Sequence, residues 1–314
     1  MSGFLADEWV QGKAFAHPDW ERVYARIDGL ESEEEQDRVW GEVLDEWVER
    51  LCSELGAEYR AVDSEHFVLI STVSEEKVKE LLEFLERSFR QIQRSLPCLV
   101  DGELGGKCPV LVIGDHDLFY RYLSDYFDDE AGEYGGVGGV YLNRGYGHFA
   151  MPSVDVDQYI DVLSHELCHA MVAHLRLPSW LDEAIAMTVE NQITFRSPYV
   201  LDREMVRRHQ EFWDGEKIQE FWRGESFWRP DEGQELSYHL AQFLLSGLYQ
   251  GGETPAEMIN EFILETKRED AGAAAAWKVF EVELGDMLGG LLGEGEDWNP
   301  GVPLFGEEDH ETDG

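Results

Sequence analysis

The stretch from Asp161 to Glu190 constrains the fold most, because its apolar residues recur at helical spacing around two histidines. His165 and His169 are four residues apart, so they lie on one face of a helix, about one turn from each other. Imidazole nitrogens at that spacing can reach one Zn²⁺ at ~2.0–2.1 Å. The helical pattern stops at Pro178, which cannot sit in a helix interior. The sequence therefore predicts two consecutive helices, the first with a metal-binding pair.

Glu166 follows the first histidine and completes an H-E-x-x-H pattern. A carboxylate in this position can lie beside the metal and take a proton from a zinc-activated water. Catalytic zinc has three protein ligands and one open position, so a further ligand is needed. His174 is five residues after His169, so helical spacing turns it away from the two motif histidines. Asp182 and Glu183 are therefore alternatives for the third metal ligand. Glu190 either orients a ligand histidine or is a surface acid.

Composition limits the partners that this chain can have. The chain has 314 residues, 43% of them hydrophobic, which is typical of a globular protein. Its formal net charge of −41 repels phosphate groups, so nucleic acid and anionic membranes are not expected partners. Basic peptides would be attracted to this surface. The alternative, which the composition favours, is that the charge only maintains solubility or suits a salty cytoplasm. Without a signal peptide or a long apolar run, we expect a cytoplasmic location.

Periodicity divides the chain into four predicted segments. Residues 1–60 predict acidic amphipathic helices, with apolar positions from Trp9 to Leu51. In residues 61–190, short β-rich runs alternate with helical patterns, and the segment ends in the two motif helices. A helical lobe is predicted for residues 191–305, and an acidic disordered tail for residues 306–314. The glycine-rich run at 135–139 has no Lys-Ser/Thr partner, so we do not expect nucleotide binding. The expected fold class is α+β, a small mixed sheet covered by helices and followed by a mostly helical part.

The motif and its continuation resemble a known group of enzymes. His165-Glu166-Leu167-Cys168-His169, followed by Pro178-Ser179-Trp180-Leu181-Asp182-Glu183-Ala184, is similar to the gluzincin metallopeptidases. The closest pattern is that of the peptidase MA-like branch, H-E-x-x-H followed by P-x-W-L-x-E-G-x-A, and Ala184 departs from it where the family usually has glycine. The resemblance implies a zincin-like catalytic domain in which His165, His169 and Glu183 bind one catalytic Zn²⁺ and Glu166 is the general base.

Hydrolysis also needs a donor for the oxyanion that forms on the scissile carbonyl. The segment from Ser237 to Phe243 is similar to the helix that supplies a tyrosine in many gluzincins. Tyr238 is the first choice for this donor and His239 the second, while a half-buried structural aromatic is the alternative for Tyr238. His148 either lines the cleft or is structural.

The sequence thus predicts a zinc-dependent metallopeptidase acting on a peptide or protein substrate. The alternative is a catalytically inactive, zinc-stabilised interaction module of the same fold. A coincidental H-E-x-x-H in an acidic helical binding protein is a third reading.

Overall fold

A mixed five-stranded sheet organises the N-terminal half of the chain, and the C-terminal part is mostly helical, so the predicted α+β class is confirmed. The computed structural model describes residues 4–5, 8–96, 99–100, 106–127, 139–142, 144–153, 156–195, 201–249, 254–294 and 297–301. The chain divides into two compact units, residues 1–93 with 101–170 and residues 94–100 with 171–314. The four predicted segments stay a prediction, and the last of them, 306–314, lies outside the described residues.

The strands form a two-stranded hairpin and the five-stranded sheet. Their bounds are β1 Trp9–Gln11, β2 Ala16–Pro18, β3 Arg60–Asp63, β4 Phe67–Ser71, β5 Cys108–Ile113, β6 Val140–Leu142 and β7 His148–Pro152. The large sheet has the order β3-β4-β5-β7-β6. Its three inner strands are parallel, while β3 and β6 pair antiparallel at the two edges. β4, β5 and β7 are buried at every position, as strands covered on both faces are.

In the described part of the chain, five helices belong to the same half as this sheet, four of them before the motif. Their bounds are α1 Trp20–Asp28, α2 Glu33–Leu55, α3 Glu75–Ser95, α4 His116–Leu123 and α5 Val156–Val172. Ser74 caps α3, since its Oγ accepts from the amide of Lys77 at 3.4 Å. The run Asp155-Val156-Asp157-Gln158 resembles a capping box, which predicts a cap for α5 at Asp155, and Asp155 lies outside the described residues. The apolar stripes of α1, α2 and α4 join buried sheet residues in one core, in which Trp47 is the largest side chain.

The prediction of helix at Trp9 and Val10 is wrong, because these residues form β1 of the hairpin. Acidic side chains hold the turn and the second strand. Asp125 accepts from the amides of Ala14 and Phe15 at 2.8 Å each, and Glu54 accepts from the amide of Ala16 at 2.8 Å. These long-range bonds override the local helical spacing of the apolar residues.

The second unit contains the remaining helices. Their bounds are α6 Ser179–Thr194, α7 Arg203–Phe212, α8 Lys217–Arg223, α9 Gly233–Tyr249, α10 Ala256–Glu265, α11 Ala273–Phe280 and α12 Leu284–Leu292. α6 packs against α9 and α8. The indole N–H groups of Trp180 and Trp222, both buried, donate to the carbonyls of Ala271 and Trp298 at 3.0 Å each. Within the described parts of the chain, no helix combines the length and apolar character needed to cross a bilayer.

Candidate metal centre

Helix α5 presents the two motif histidines on one face. Leu163, Leu167 and Cys168 of the same helix are at most 1% exposed, whereas His165 and His169 are only half-buried. The Nε2 atoms of the two histidines lie 3.0 Å apart. The helical spacing therefore turns both imidazoles towards one point, as the sequence predicts.

A short, irregular connection leads from α5 to α6. Residues Ala173–Leu175 form a 3-10 turn, and Arg176 adopts a left-handed conformation with φ 49°. Pro178 is the N-cap of α6, so the predicted break between the two helices is confirmed. Trp180, Leu181 and Ala184 of α6 are completely buried, which leaves Glu183 half-buried on a different side of the helix.

His165, His169 and Glu183 form a group that can hold a metal ion, since their ligand atoms all lie within 4.8 Å of one another. Two nitrogens bound to tetrahedral zinc at ~2.0–2.1 Å would be about 3.3 Å apart. The observed 3.0 Å between the two Nε2 atoms is close to that value. Two imidazoles and one carboxylate are also a donor set that suits zinc. The residues present therefore fit a metal ion.

Glu166 has a partner on the sheet edge. Its Oε2 accepts a hydrogen bond from the backbone amide of Tyr141 in β6 at 3.0 Å. A backbone amide stabilises the ionised form of a carboxylate and fixes its orientation. No sequence pattern could predict this contact, because every residue except proline carries such an amide.

Tyr238 and His239 lie on α9, the helix that packs against α6. Tyr238 is half-buried, and its ring meets that of Phe227 edge-on with centroids 5.2 Å apart. His239 is 4% exposed, and its Nδ1 lies 2.9 Å from His209 Nε2. The role of Tyr238 as oxyanion donor, and that of His239 as its substitute, stay predictions.

A chain of hydrogen bonds determines the tautomer of His239. The indole of Trp213 can only donate, and it donates to His209 Nδ1 at 2.9 Å. Burial, together with the neighbouring His239 and Arg208, lowers the pKa of His209 to about 3, so its imidazole is neutral with its proton on Nε2. That proton is donated to His239 Nδ1. A neutral His239 therefore carries its own proton on Nε2 and presents a donor there.

His148 has a structural role, which is one of the two roles that its position in the sequence allows, the other being to line the cleft. It is completely buried, its Nδ1 donates to the carbonyl of Tyr146, and its Nε2 accepts from the hydroxyl of Tyr122, both at 2.7 Å. Burial lowers the pKa of His148 to about 4, partly offset by the bond to Tyr146. A neutral imidazole with both nitrogens bonded belongs to the core.

A second group of potential ligands, Glu65, His66 and Glu86, has a structural explanation. Glu86 Oε1 accepts from the Ser64 hydroxyl at 2.7 Å and from the His66 amide at 2.8 Å, while Oε2 lies 2.9 Å from His66 Nδ1. Glu86 thus fixes the turn between β3 and β4. Arg90 lies 3.6 Å from the same Oε2, and its positive charge opposes the binding of a cation.

The other candidate ligands lie on the 3-10 turn and on α6. His174 is exposed on the 3-10 turn, while Asp182 and Glu190 are half-buried on α6. Among the described residues, the group that contains both motif histidines takes Glu183 as its third member.

No protein-family model matches this chain, and no curated protein matches it either. The candidate site therefore rests on its own geometry.

Proposed function

We propose that this protein is a zinc-dependent peptidase in which His165, His169 and Glu183 bind the metal. The convergence of these three side chains within 4.8 Å is the observation that supports the proposal. Bound zinc would polarise the scissile carbonyl and lower the pKa of the attacking water to about 7. The resemblance to the gluzincin peptidase MA-like branch supports the same assignment.

Glu166 is the proposed general base. It follows the ligand His165, and the amide of Tyr141 holds its carboxylate. From there it would take the proton of the attacking water and return it to the leaving amine. The Tyr238 hydroxyl is the proposed donor to the oxyanion, and His239, which offers an Nε2 proton, is the second choice.

The proposed substrate is a peptide or protein. The net charge of −41 favours basic substrates over acidic ones and disfavours nucleic acid and anionic membranes. These partners and the cytoplasmic location stay predictions.

Metal analysis combined with the variant Glu166→Gln tests this function. We expect the purified wild type to contain about one zinc per chain and to hydrolyse members of a broad peptide library. Glu166→Gln should keep its zinc and lose hydrolysis, because an amide cannot accept the proton. Glu183→Gln should weaken zinc binding, because a neutral amide is a poorer ligand than a carboxylate.

The matched control is Glu83→Gln, which removes one charge from an exposed position on α3 and should change neither property. A wild type that neither contains nor rebinds zinc would contradict the proposal. A zinc-loaded wild type as inert as Glu166→Gln would favour the inactive interaction module instead.

A further inference from the structure

The chain around β6 lies directly on helix α5 at two points. A Cβ atom added to Gly139, the residue before β6, would come within 2.8 Å of Val162 Cγ1 and 3.3 Å of Met151 Cβ. Two residues further on, the amide of Tyr141 donates to Glu166 Oε2 at 3.0 Å. Two strand residues span ~6.8 Å and four helical residues ~6 Å, so the two contacts are in register along both elements.

The Tyr141 amide is available for Glu166 because of its place in the sheet. β6 is an edge strand, and Tyr141 stands opposite Phe149 of β7. An antiparallel ladder uses the amides of alternate residues. Because the Tyr141 amide bonds Glu166, we infer that the amides of Val140 and Leu142 are the ones that face β7. The amide of Tyr141 therefore points away from the sheet.

We propose that the Tyr141 backbone amide is a positioning group for Glu166, and that Gly139 is the residue that allows the amide to reach it. This inference rests on the proposed role of Glu166 as general base. A carboxylate on a long side chain has several rotamers, and a hydrogen bond from a rigid strand selects one of them. A misplacement of about 1 Å in a catalytic group can lower a rate by about 100-fold.

Gly139 controls the distance between the strand and the helix. A Cβ at 2.8 Å from the stiff, β-branched Val162 cannot be accommodated without movement. Gly139→Ala therefore displaces the start of β6 from α5 and lengthens or breaks the bond between Tyr141 and Glu166. Val162→Ala removes the methyl group that clashes, so it should restore the approach in the double variant.

Steady-state kinetics of four variants test the proposal. Gly139→Ala should lower kcat by about 10- to 100-fold, with KM and zinc content near the wild-type values. Val162→Ala alone should be close to wild type, and Gly139→Ala/Val162→Ala should recover most of the lost kcat. Gly41→Ala is the control, because its added Cβ meets no atom within 4 Å.

Two kinetic results would overturn the proposal. The first is a kcat for Gly139→Ala that equals or exceeds that of the wild type. A higher kcat would mean that the bond to Tyr141 holds Glu166 in an unproductive orientation. The second is a double variant that folds and binds zinc but recovers none of the lost kcat.

Hydrogen exchange of the Tyr141 amide, followed by NMR, separates this proposal from the proposed function. The amide should exchange slowly in the wild type, faster in Gly139→Ala and Glu166→Ala, and slowly again in the double variant. If this exchange pattern is found in a protein that hydrolyses no peptide, the contact between Tyr141 and Glu166 is supported and the peptidase function is rejected. Equal exchange in the wild type and Glu166→Ala would reject the positioning role, whatever the activity.

Discussion

His148 is fully buried with both ring nitrogens bonded, whereas His165 and His169 are half-buried with their Nε2 atoms 3.0 Å apart. The first arrangement keeps a neutral imidazole in the core, and the second leaves two lone pairs that can meet a cation. The three histidines have the same chemistry in solution. Burial and hydrogen bonding therefore decide which of them can act as ligands.

Acid should destabilise the protein through His148. Burial lowers its pKa to about 4, whereas an unfolded histidine has a pKa of about 6.5, so the unfolded state binds the proton first. The contribution of His148 to the free energy of unfolding is complete above pH ~6.5 and falls by about 3 kcal/mol as the pH approaches ~4. Urea unfolding across this pH range should show a smaller loss in His148→Gln than in the wild type.

The exposed His116→Gln is the control for this measurement and should follow the wild-type pH dependence. Equal pH dependence in His148→Gln and the wild type would contradict the assignment.

Helical spacing suffices to predict the pair His165 and His169, because the α-helix places residues four apart on one face. Only the resemblance to the gluzincins selects Glu183 over Asp182 from the sequence. Arg176 is left-handed, so the connection interrupts the helical spacing, and the spacing cannot show which α6 residue faces the two histidines. The contact between His209 and His239 joins two helices 30 residues apart, and pair spacing cannot reveal it. Local geometry is therefore predictable, and long-range pairing is not.

The same distinction applies to whole elements. The buried strands β4, β5 and β7 have apolar runs, and such runs are what predict the short β-rich segments within residues 61–190. The edge strand β3 is mostly exposed, and the sequence does not predict it, because Arg60 and Asp63 give it no apolar pattern. Edge strands commonly carry such charges, which discourage pairing with other chains.

Trp180 anchors α6, the helix that carries Glu183. Its completely buried indole donates to the carbonyl of Ala271 at 3.0 Å. Trp180→Phe removes this bond and leaves a small cavity, so we expect a loss of about 1–3 kcal/mol in the free energy of unfolding. Urea unfolding followed by circular dichroism measures it.

Trp277, which is 58% exposed, provides the matched control. Trp277→Phe should change stability by less than about 0.5 kcal/mol. Similar losses for the two variants would mean that the bond and the burial of Trp180 contribute nothing specific.

The charge of the whole molecule should make its stability depend on salt. With 66 acidic and 25 basic residues, like charges repel one another across the folded surface. Raising NaCl from about 0.01 M to about 0.5 M shortens the Debye length several-fold, so the melting temperature should rise. Differential scanning calorimetry measures it.

KCl at the same ionic strength should give the same rise, because screening does not depend on the identity of the monovalent cation. A melting temperature that stays constant or falls with salt would show that the repulsion is already neutralised within the fold.

The bond between Glu166 and Tyr141 also has a consequence for association between molecules. A sheet edge with open amides is a template on which another chain can add a strand. β6 is such an edge, but its Tyr141 amide already donates to the Glu166 side chain. A second molecule would have to displace that carboxylate before its own backbone could pair, so the side chain proposed for catalysis also protects the sheet from edge-to-edge aggregation.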